Sequence, residues 1–411
     1  MNCEIICVGT ELLLGDIVNT NAVYLSKELA KLGINVLYQS VVGDNDSRLE
    51  ECIRKSLEKS DIIILTGGLG PTADDITKEV CCKALGFELE INEKQLRKIE
   101  NYFCSKNIEM PESNKKQAYL PKSGYVLENN NGTAPGFAIE KNSKCIISLP
   151  GPPREMKPMF ENGAKPILEK YSSAVLVSHN VRMIGIGEAK MAEDAGKLLD
   201  GENPTVAPYA KDGECLLRVT AKAKDKNTAE KMCSKILDEI YKKFSEYIYG
   251  IDIDGIEYAV VEKLKEKNLK VAFAESCTGG LCAKRITDVP GASQVFDCGV
   301  VSYANSIKNK LLNVREEDLE KYGAVSETVA KQMAKGVLEL SGADIGVSIT
   351  GIAGPDNDGS EKPVGLSYIA VAYKDEVVCT EFMTARKDRD YNRFANSSKA
   401  FDVVRKIIDK F

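Results

Sequence analysis

Short apolar runs alternate with amphipathic stretches along most of this 411-residue chain, and this alternation restricts the fold more than any other feature. Near the start, the runs EIICVG and DIIILTGG predict β-strands, and the stretches TNAVYLSKELAKLG and SRLEECIRKSLEKS predict helices between strands. A repeated strand–helix–strand order predicts a mainly parallel sheet with helices on both faces. At roughly 100–200 residues per domain, the length predicts about two to four domains.

Two changes in this pattern predict three domains. Residues 1–170 and 251–411 share the strand–helix alternation, and we expect each to form a three-layer α/β domain with a mainly parallel sheet. Residues 171–250 combine strand-like runs with helical stretches and predict a small α+β domain that joins the other two. The expected fold class is therefore α/β and multidomain.

The charge and the apolar content exclude several classes of protein. The net charge of −6 and the sequence pI of about 5.4 do not favour bulk binding to nucleic acid or to an anionic membrane. The sequence has no run of about 18 apolar residues, the length that spans a bilayer. The opening MNCEIICVGTELLLG lacks a basic segment, so we interpret it as a first core strand and not as a signal peptide.

The cysteines indicate a reducing compartment. There are 13 of them, and most lie within apolar runs. Without an export signal, this distribution favours the cytoplasm, where thiols stay reduced. The spacing Cys-x-x-Cys does not occur, so the sequence does not predict a structural zinc site.

The single histidine, His179, limits the chemistry further. A Ser-His or Cys-His catalytic unit would have to include this residue, and a metal site with several histidines is impossible. A nucleophile therefore needs another base. A metal needs carboxylate, carbonyl or water ligands, which suit hard divalent cations.

The segment AESCTGG places Ser276 where an apolar strand enters a glycine turn that begins a helix. Backbone N–H groups at such a helix N-terminus can hold a phosphate or stabilise an oxyanion, and Gly279 and Gly280 permit close backbone approach. A helix end capped by Ser276 or Thr278 is an alternative of similar weight. Cys277 is a rival nucleophile, but a thiolate needs a nearby positive field, so we expect a structural role for it.

Further candidate residues follow other strand-like runs of the same domain. In SYANSIK, Tyr303 and Lys308 lie where a strand ends and a helix begins. A lysine whose pKa is lowered by burial can take a proton from serine, although a surface lysine is the commoner case. SITGIAGP places another glycine turn after a strand-like run. Three such turns on one edge of a sheet would form a crevice in which a ligand can bind. The alternative is that SITGIAGP is an ordinary Gly-Pro loop. Arg389 and Arg393 are four residues apart, so they share one face if this segment is helical. Such a pair suits an anionic phosphate. A solvated charged face is an equal alternative.

The first domain has its own glycine turn, TGGLGPTADD, after a buried strand. Glycine amides can cradle phosphates, and Asp74 and Asp75 can hold a divalent cation that bridges them. The Gly-Lys-Ser/Thr ending of a Walker A loop is missing. GTELLLG and LPGPPREM also follow strand-like runs, which favours a nucleotide-type crevice over unrelated capped turns. In the middle domain, GIGE suggests a KH-type turn, but Glu188 argues against nucleic-acid binding.

Together these segments resemble the CinA family, the competence/damage-inducible protein A type, over essentially the whole chain. The first domain resembles a molybdopterin-binding-type domain through GTELLLG, TGGLGPTADD, NGTAPGF and PGPPREM, which occur in the family order. The middle domain resembles the family's KH-like domain. The third domain resembles the nicotinamide-nucleotide amidase domain through AESCTGG, SYANSIK, GAVSE, TGIAGP, PVG and RDYNR.

For the third domain, the resemblance implies hydrolysis of nicotinamide mononucleotide to nicotinate mononucleotide and ammonia, without a cofactor. It implies Ser276 as the nucleophile, with Tyr303 and Lys308 assisting proton transfer. Arg389 or Arg393 would hold the phosphate. The substrate-binding residues that the resemblance implies are Thr278, Gly279, Gly280, Thr350, Gly351, Ile352, Ala353, Gly354, Arg389 and Arg393.

For the first domain, the resemblance implies hydrolysis of ADP-ribose to AMP and ribose 5-phosphate with a divalent metal ion, either Mg²⁺, Mn²⁺ or Co²⁺. Asp74 and Asp75 would be the metal-binding and catalytic residues. The substrate-binding residues that it implies are Gly9, Thr10, Glu11, Asn21, Thr66, Gly67, Gly68, Gly70, Pro150 and Gly151. The protein would be a bifunctional enzyme of pyridine-nucleotide recycling, expected to form a homodimer without membrane or nucleic-acid partners.

Two other functions stay open. The first domain could be a non-catalytic module that binds a pterin or a nucleotide, in which case ADP-ribose and a divalent metal would give no AMP. The protein could also be an accessory factor in competence or DNA damage, which salt-dependent DNA binding would indicate.

Overall fold

The computed structural model describes residues 1–171, 174–357, 359, 361–384 and 386–411. Contacts divide the chain into two compact units, residues 1–177 with 221–232 and residues 178–220 with 233–411. The sheets described below confirm the predicted α/β multidomain class. Among the described residues, no helix is both long and apolar enough to cross a membrane.

Residues 1–171 contain eight strands and seven α-helices. The strands are β1 (Asn2–Val8), β2 (Asn35–Val42), β3 (Ile62–Thr66), β4 (Leu89–Ile91), β5 (Tyr119–Pro121), β6 (Tyr125–Leu127), β7 (Gly136–Lys141) and β8 (Lys144–Leu149). The helices are α1 (Thr10–Leu14), α2 (Thr20–Lys31), α3 (Asp46–Lys59), α4 (Thr77–Leu85), α5 (Glu93–Ser105), α6 (Pro153–Met159) and α7 (Lys165–Leu168). A 3₁₀-helix at Glu112–Ala118 precedes β5.

Six of these strands form one sheet in the order β2-β1-β3-β8-β7-β6. The first four pair in parallel, and β7 and β6 add antiparallel strands at one edge. Every residue of β3 is buried, as expected for a central parallel strand covered on both faces. Leu25 of α2 and Met156 of α6 pack into the core on one face, and Ile53 of α3 and Val80 of α4 into the core on the other. The predicted three layers are therefore present.

The segment that follows has its own antiparallel sheet. Its strands are β9 (Val175–Met183), β10 (Thr205–Lys211), β11 (Glu214–Ala223) and β12 (Ile248–Ile251), in the order β10-β11-β9-β12. Its helices are α8 (Glu188–Ala195) and α9 (Lys226–Phe244). Both β10 with β11 and β9 with β12 pair antiparallel, which agrees with the predicted α+β character.

The remaining chain forms the second α/β sheet, in the order β14-β13-β15-β16-β17. The strands are β13 (Val271–Glu275), β14 (Phe296–Val301), β15 (Ile345–Gly351), β16 (Leu366–Tyr373) and β17 (Glu376–Met383). The helices are α10 (Ile256–Lys267), α11 (Leu281–Thr287), α12 (Asn305–Leu312), α13 (Glu316–Tyr322), α14 (Glu327–Ser341) and α15 (Arg389–Ile408).

Helices cover both faces of this second sheet. β14, β13 and β15 are parallel, and β16 and β17 continue the sheet antiparallel. Val260 of α10 and Phe401 of α15 pack with Phe273 on one face. Val329 and Met333 of α14 pack with the alanines of β13 on the other face. The carboxyl ends of the three parallel strands therefore share one edge of a three-layer domain.

Candidate active sites

Backbone hydrogen bonds join the turns that follow three neighbouring strands of the second α/β sheet. The N–H of Ser276, just after β13, donates to the carbonyl oxygen of Ile349 in β15 over 2.9 Å. The N–H of Ser302, just after β14, donates to the carbonyl oxygen of Glu275 in β13, also over 2.9 Å. These two hydrogen bonds bring the predicted serine turn and the Tyr303 turn together. They lie at the edge of the sheet where open α/β proteins bind their ligands.

Glycines and a buried carboxylate shape the turn after β13. Gly279 and Gly280 have φ angles of 59° and 90°, in the left-handed region that favours glycine. The carboxylate of Glu275, which is fully buried, accepts the N–H groups of Cys282 over 3.0 Å and Ala283 over 2.9 Å at the start of α11. The expectation that the N–H groups of this helix are open to a ligand is therefore wrong for these two, because Glu275 satisfies them. Within the turn, the N–H groups of Ser276 and Gly279 are engaged as well, by the carbonyl oxygens of Ile349 over 2.9 Å and of Ser276 over 3.1 Å. The N–H groups of Cys277, Thr278 and Gly280 are the other candidates for oxyanion donors in this turn.

Ser276 and Cys277 are adjacent in this turn, and their surroundings separate their roles. Burial raises the pKa of the Cys277 thiol to about 12, and the amide of Asn396 donates to its Sγ atom over 3.8 Å. A thiol with this pKa stays protonated at neutral pH and is a poor nucleophile. Cys277 is therefore suited to a structural role, and Ser276 stays the predicted nucleophile.

Lys308 lies in α12 and is 1% exposed, so it is not a surface lysine. Its Nζ atom donates to the carbonyl oxygens of Ser302 over 2.8 Å and Tyr303 over 2.9 Å. Burial lowers the pKa of this amine to about 8. A neutral amine has two N–H donors and one lone pair, and both donors are engaged here. The lone pair is left to accept a proton, as a general base requires.

Arg389 is the first residue of α15 and Arg393 lies one turn further on, so both are on one helix face, as the four-residue spacing predicts. Arg393 donates through Nη2 to the carbonyl oxygen of Thr278 over 2.9 Å. Arg389 donates through Nη1 to the carbonyl oxygen of Gly354 over 2.8 Å and through Nη2 to the hydroxyl of Tyr303 over 3.4 Å. The two guanidinium groups thus connect all three predicted turns and add positive charge beside them.

Most residues of the predicted binding segment from Thr350 to Gly354 have a structural role, because their polar groups form hydrogen bonds with neighbouring segments. The hydroxyl of Thr350 donates to the carbonyl oxygen of Ala324 over 2.8 Å, and Gly351 ends β15. Ile352 pairs through its N–H with Leu366 over 2.9 Å. The carbonyl oxygen of Ala353 accepts the side-chain amide of Asn392 over 2.9 Å. Sequence reasoning misses Asn392 and Asn396, although both are asparagines spaced four residues apart in the last helix.

Two buried hydroxyl groups near this site have no hydrogen-bond partner within the described part of the chain. They belong to Thr278 and Ser302, and both side chains are 0% exposed. A buried hydroxyl without a partner is costly, so such groups are frequent where a ligand or water completes the network. Thr278 is a predicted binding residue, whereas Ser302 is not.

The strand-end turns of the first unit line a cavity of about 670 Å³. Its lining includes segments of all four motifs, GTELLLG, TGGLGPTADD, NGTAPGF and PGPPREM. The predicted residues in this lining are Gly9, Glu11, Gly67, Gly68, Gly70, Asp74, Asp75, Pro150 and Gly151. The volume falls within the range of about 300–1,000 Å³ that is common for small-molecule sites.

Three predicted residues of the first unit lie elsewhere. Asn21 and Thr66 line a second cavity of about 280 Å³, where the amide of Asn21 donates to the Thr66 hydroxyl over 3.0 Å. Thr10 is not part of the lining of either cavity, and its hydroxyl donates to Asp44 over 2.8 Å. Gly151 belongs to both linings, and its carbonyl oxygen accepts from Asn21 over 2.7 Å.

Carboxylates from several elements line the large cavity, but they are not arranged as a finished metal site. Within the described ranges, no three His, Cys, Asp or Glu side chains are grouped closely enough to hold a metal ion. Asp75 accepts the N–H of Thr72 over 2.9 Å and also its hydroxyl, so this carboxylate closes its own turn. Asp74 is exposed, and hydrogen bonding to Thr72 lowers its pKa. Of the predicted pair, Asp74 is therefore the more accessible ligand.

Comparison with known proteins gives a consistent assignment along the chain. Residues 4–170 match a probable molybdopterin binding domain, residues 178–250 the damage-inducible protein CinA KH domain, and residues 253–408 the CinA C-terminal domain. A putative competence-damage inducible protein of Caldicellulosiruptor saccharolyticus is 52% identical over 409 residues, which cover 99% of each chain. The chain belongs to the CinA family. A CinA-like protein of Dictyoglomus thermophilum is 46% identical over 407 residues, again 99% of each chain.

A solved structure in the CinA family also resembles part of the chain. The crystal structure of CinA from Thermoplasma acidophilum has 36% sequence identity and a TM-score of 0.38. It covers 40% of this chain and 97% of its own.

The CinA KH segment contains the only histidine of the sequence, His179, which is absent from the linings of both cavities described above. Nδ1 of His179 in β9 lies 2.6 Å from Oδ2 of Asp252. Glu188 begins α8 directly after Gly187, where the dipole of a helix favours a negative charge. An acidic residue at this position disfavours contact with a phosphate backbone.

Proposed function

We propose that the CinA C-terminal segment is an amidase that converts nicotinamide mononucleotide to nicotinate mononucleotide and ammonia. The observation that carries this proposal is the buried amine of Lys308, whose two N–H groups are engaged by carbonyl oxygens and whose pKa is lowered to about 8. Serine hydrolysis without histidine needs such a base.

In the proposed reaction, the hydroxyl oxygen of Ser276 attacks the carboxamide carbon, and the amine of Lys308 takes the hydroxyl proton. The oxyanion is stabilised by N–H groups of the turn. Collapse breaks the C–N bond, and the ammonium of Lys308 returns a proton to the leaving nitrogen, which departs as ammonia. Water then hydrolyses the acyl-serine by the same proton transfers in reverse order. Tyr303, whose hydroxyl is bonded to Arg389, supports the proton transfer and borders the binding site.

Recognition of the substrate phosphate is assigned to Arg389 and Arg393. Arg389 begins α15 and Arg393 follows one turn later, so both charges lie near the positive, N-terminal end of the helix dipole. Asp388 caps this helix by accepting the N–H of Tyr391 over 2.7 Å. This cap fixes the start of the helix and with it the positions of the two arginines. The direct test compares ammonia release from nicotinamide mononucleotide and from nicotinamide riboside. Equal efficiency on the two substrates, or release from neither, would contradict the proposal.

For the molybdopterin-binding-type domain, we propose metal-dependent hydrolysis of ADP-ribose to AMP and ribose 5-phosphate. The 670 Å³ cavity supports this, since it combines a glycine turn with carboxylates from several elements. The oxygen-only donor set fits a hard divalent cation such as Mg²⁺, Mn²⁺ or Co²⁺. Asp74 would hold it together with diphosphate oxygens, and the cation would supply charge neutralisation and an activated water.

A binding role without turnover is the second candidate for this domain. The engaged carboxylate of Asp75 favours it, because the predicted pair of aspartates then offers one accessible ligand. The deciding experiment incubates the full chain with ADP-ribose and each metal, with and without chelator. Appearance of AMP and ribose 5-phosphate supports the enzyme. Saturable nucleotide or pterin binding without products supports the binding module.

The expected homodimer and cytoplasmic location are also proposals. Exposed apolar side chains of the first unit support self-association, among them Leu14 at 72%, Val18 at 81% and Leu37 at 54% exposure. All thirteen cysteines lie in the described part of the chain and none of them forms a disulfide bond, which agrees with a reducing compartment. Salt-dependent DNA binding by the full chain would instead favour an accessory role in competence or DNA damage.

A further inference from the structure

The lining of the large cavity of the first unit includes side chains whose chemistry differs from that of its glycine turn. Tyr102 and Phe103 at the end of α5, together with Lys106 and Ile108, contribute to the lining. Tyr102 is 37% exposed and Ile108 is 56% exposed. Aromatic and aliphatic side chains contribute neither to phosphate binding nor to metal binding, so their presence in the lining needs a separate explanation. We refer to these four residues as the aromatic end.

The rings of Tyr102 and Phe103 in the aromatic end form an edge-to-face pair. The centroids of Tyr102 and Phe103 lie 5.6 Å apart, with an interplanar angle of 85°. This edge-to-face geometry is favourable for two aromatic rings. The Nζ atom of Lys106 lies 4.3 Å from the Tyr102 centroid and donates to the Tyr102 hydroxyl over 2.7 Å. The cavity thus offers apolar ring surface with a positive charge beside it.

We propose that the aromatic end binds the planar base of a nucleotide whose phosphates lie against the Gly67–Gly70 turn of the same cavity. Any nucleotide base can stack on an aromatic side chain, because every base has a π-face. A nearby ammonium group attracts the negatively charged ligand that carries the phosphates. The turn and the aromatic end line one cavity of about 670 Å³, which suits a ligand with a polar and a planar part.

This inference deepens the proposed function of the first domain and rests on it for the identity of the ligand. For ADP-ribose, the adenine is the planar part, so the AMP half extends towards the aromatic end. The terminal ribose 5-phosphate then lies on the other side of the scissile bond. The two products should therefore depend differently on Tyr102.

The test measures dissociation constants of AMP and of ribose 5-phosphate for the full chain by calorimetry in the presence of Mg²⁺. Tyr102→Ala is compared with Tyr119→Ala, because Tyr119 is 38% exposed and lies outside the cavity lining. Loss of one stacking ring should weaken AMP binding about fivefold or more. Ribose 5-phosphate binding should stay unchanged in both variants, and Tyr119→Ala should bind AMP like the parent chain.

Three other outcomes overturn the inference. Equal weakening of both ligands by Tyr102→Ala means that the ring only shapes the cavity. Unchanged AMP binding means that no base stacks there, and absence of AMP binding in the parent chain has the same meaning. Unchanged ribose 5-phosphate binding by Tyr102→Ala guards against a general loss of fold. Selective AMP binding without hydrolysis of ADP-ribose would remove the proposed enzyme activity while the base-binding end stands.

Discussion

The Nζ atom of Lys308 lies 2.8 Å from the carbonyl oxygen of Ser302, inside the protein and 1% exposed. Because burial lowers the pKa of Lys308 from 10.5 to about 8, the free amine becomes the main form as the pH rises through about 8. If this amine is the general base, kcat/KM for nicotinamide mononucleotide should rise with pH and level off above that value. A pH–rate profile from pH 6 to 10 checks this. A flat profile, or one unchanged in Lys308→Met, would exclude Lys308 as the base.

The same shift affects stability, and its sign follows from linkage. The pKa of Lys308 is lower in the folded chain than the ordinary 10.5 of an exposed lysine, so between about 8 and 10.5 the unfolded chain binds more protons. Stability from this group therefore increases with pH across that window. Comparing denaturant unfolding of the parent chain and Lys308→Met at pH 7.5 and pH 10 isolates the effect. A difference that does not change with pH would contradict it.

Ser276→Ala should lower ammonia release by about 10³-fold or more, since removing the nucleophile leaves only binding and electrostatic contributions. The matched control is Cys277→Ala in the next position. Its thiol has a pKa raised to about 12, so its removal should leave turnover close to that of the parent chain. The measurement is ammonia release at saturating substrate. A large loss in Cys277→Ala with normal activity in Ser276→Ala would reverse the assignment.

Arg393→Met should raise KM for nicotinamide mononucleotide by about tenfold or more, since a hydrogen bond to a charged group contributes roughly 1.5–3 kcal/mol. KM for nicotinamide riboside, which lacks the phosphate, should change little. Arg386→Met is the control, because Arg386 is 59% exposed and pairs with Asp212 over 3.4 Å. Steady-state kinetics on both substrates checks the difference. A similar rise in both variants would indicate only a loss of general positive charge.

The positions of the turns could be predicted from the sequence because each follows an apolar strand. Parallel strands bring their carboxyl ends to one edge, so Ser276, Tyr303 and the glycines of TGIAGP are neighbours for a topological reason. The early turns of the first unit meet in one cavity for the same reason. Helical spacing also predicts that Arg389 and Arg393 share one face of α15.

Other features depend on contacts that periodicity does not encode. A strand pattern shows that Glu275 is next to a buried run, but not that its carboxylate closes the start of α11. The turn formed by Thr72 and Asp75 similarly consumes a carboxylate that looks free in the sequence. Short strands such as β5 and β6, each with three residues, are too brief for a period to be detected.

Arg285→Met should destabilise the second unit by about 3–5 kcal/mol, because it leaves a partly buried carboxylate without its partner. The Nη2 atom of Arg285 lies 2.6 Å from the carboxylate of Glu257, and Nη1 donates to Ser397 and Ser398 over 2.6 and 2.8 Å. Lys284→Met on the same helix is the control. Its exposed pair with Asp288 should contribute only about 0–1 kcal/mol. Denaturant unfolding of both variants tests this, and equal losses would contradict it.

Asp74 and Asp75 should respond differently to substitution, because the structure gives their carboxylates different tasks. Asp74→Asn removes the accessible ligand, so metal-dependent release of AMP from ADP-ribose should fall the most, and extra metal should restore part of it. Asp75→Asn weakens the turn with Thr72, which Lys116 also holds by donating to the Thr72 carbonyl oxygen over 3.1 Å. As a supporting contact, its loss should cost about 10–100-fold in activity or metal affinity. Metal titrations of both variants, followed by product release, separate the two effects. If Asp74→Asn kept full activity while Asp75→Asn lost all of it, the metal-binding assignment would pass to Asp75.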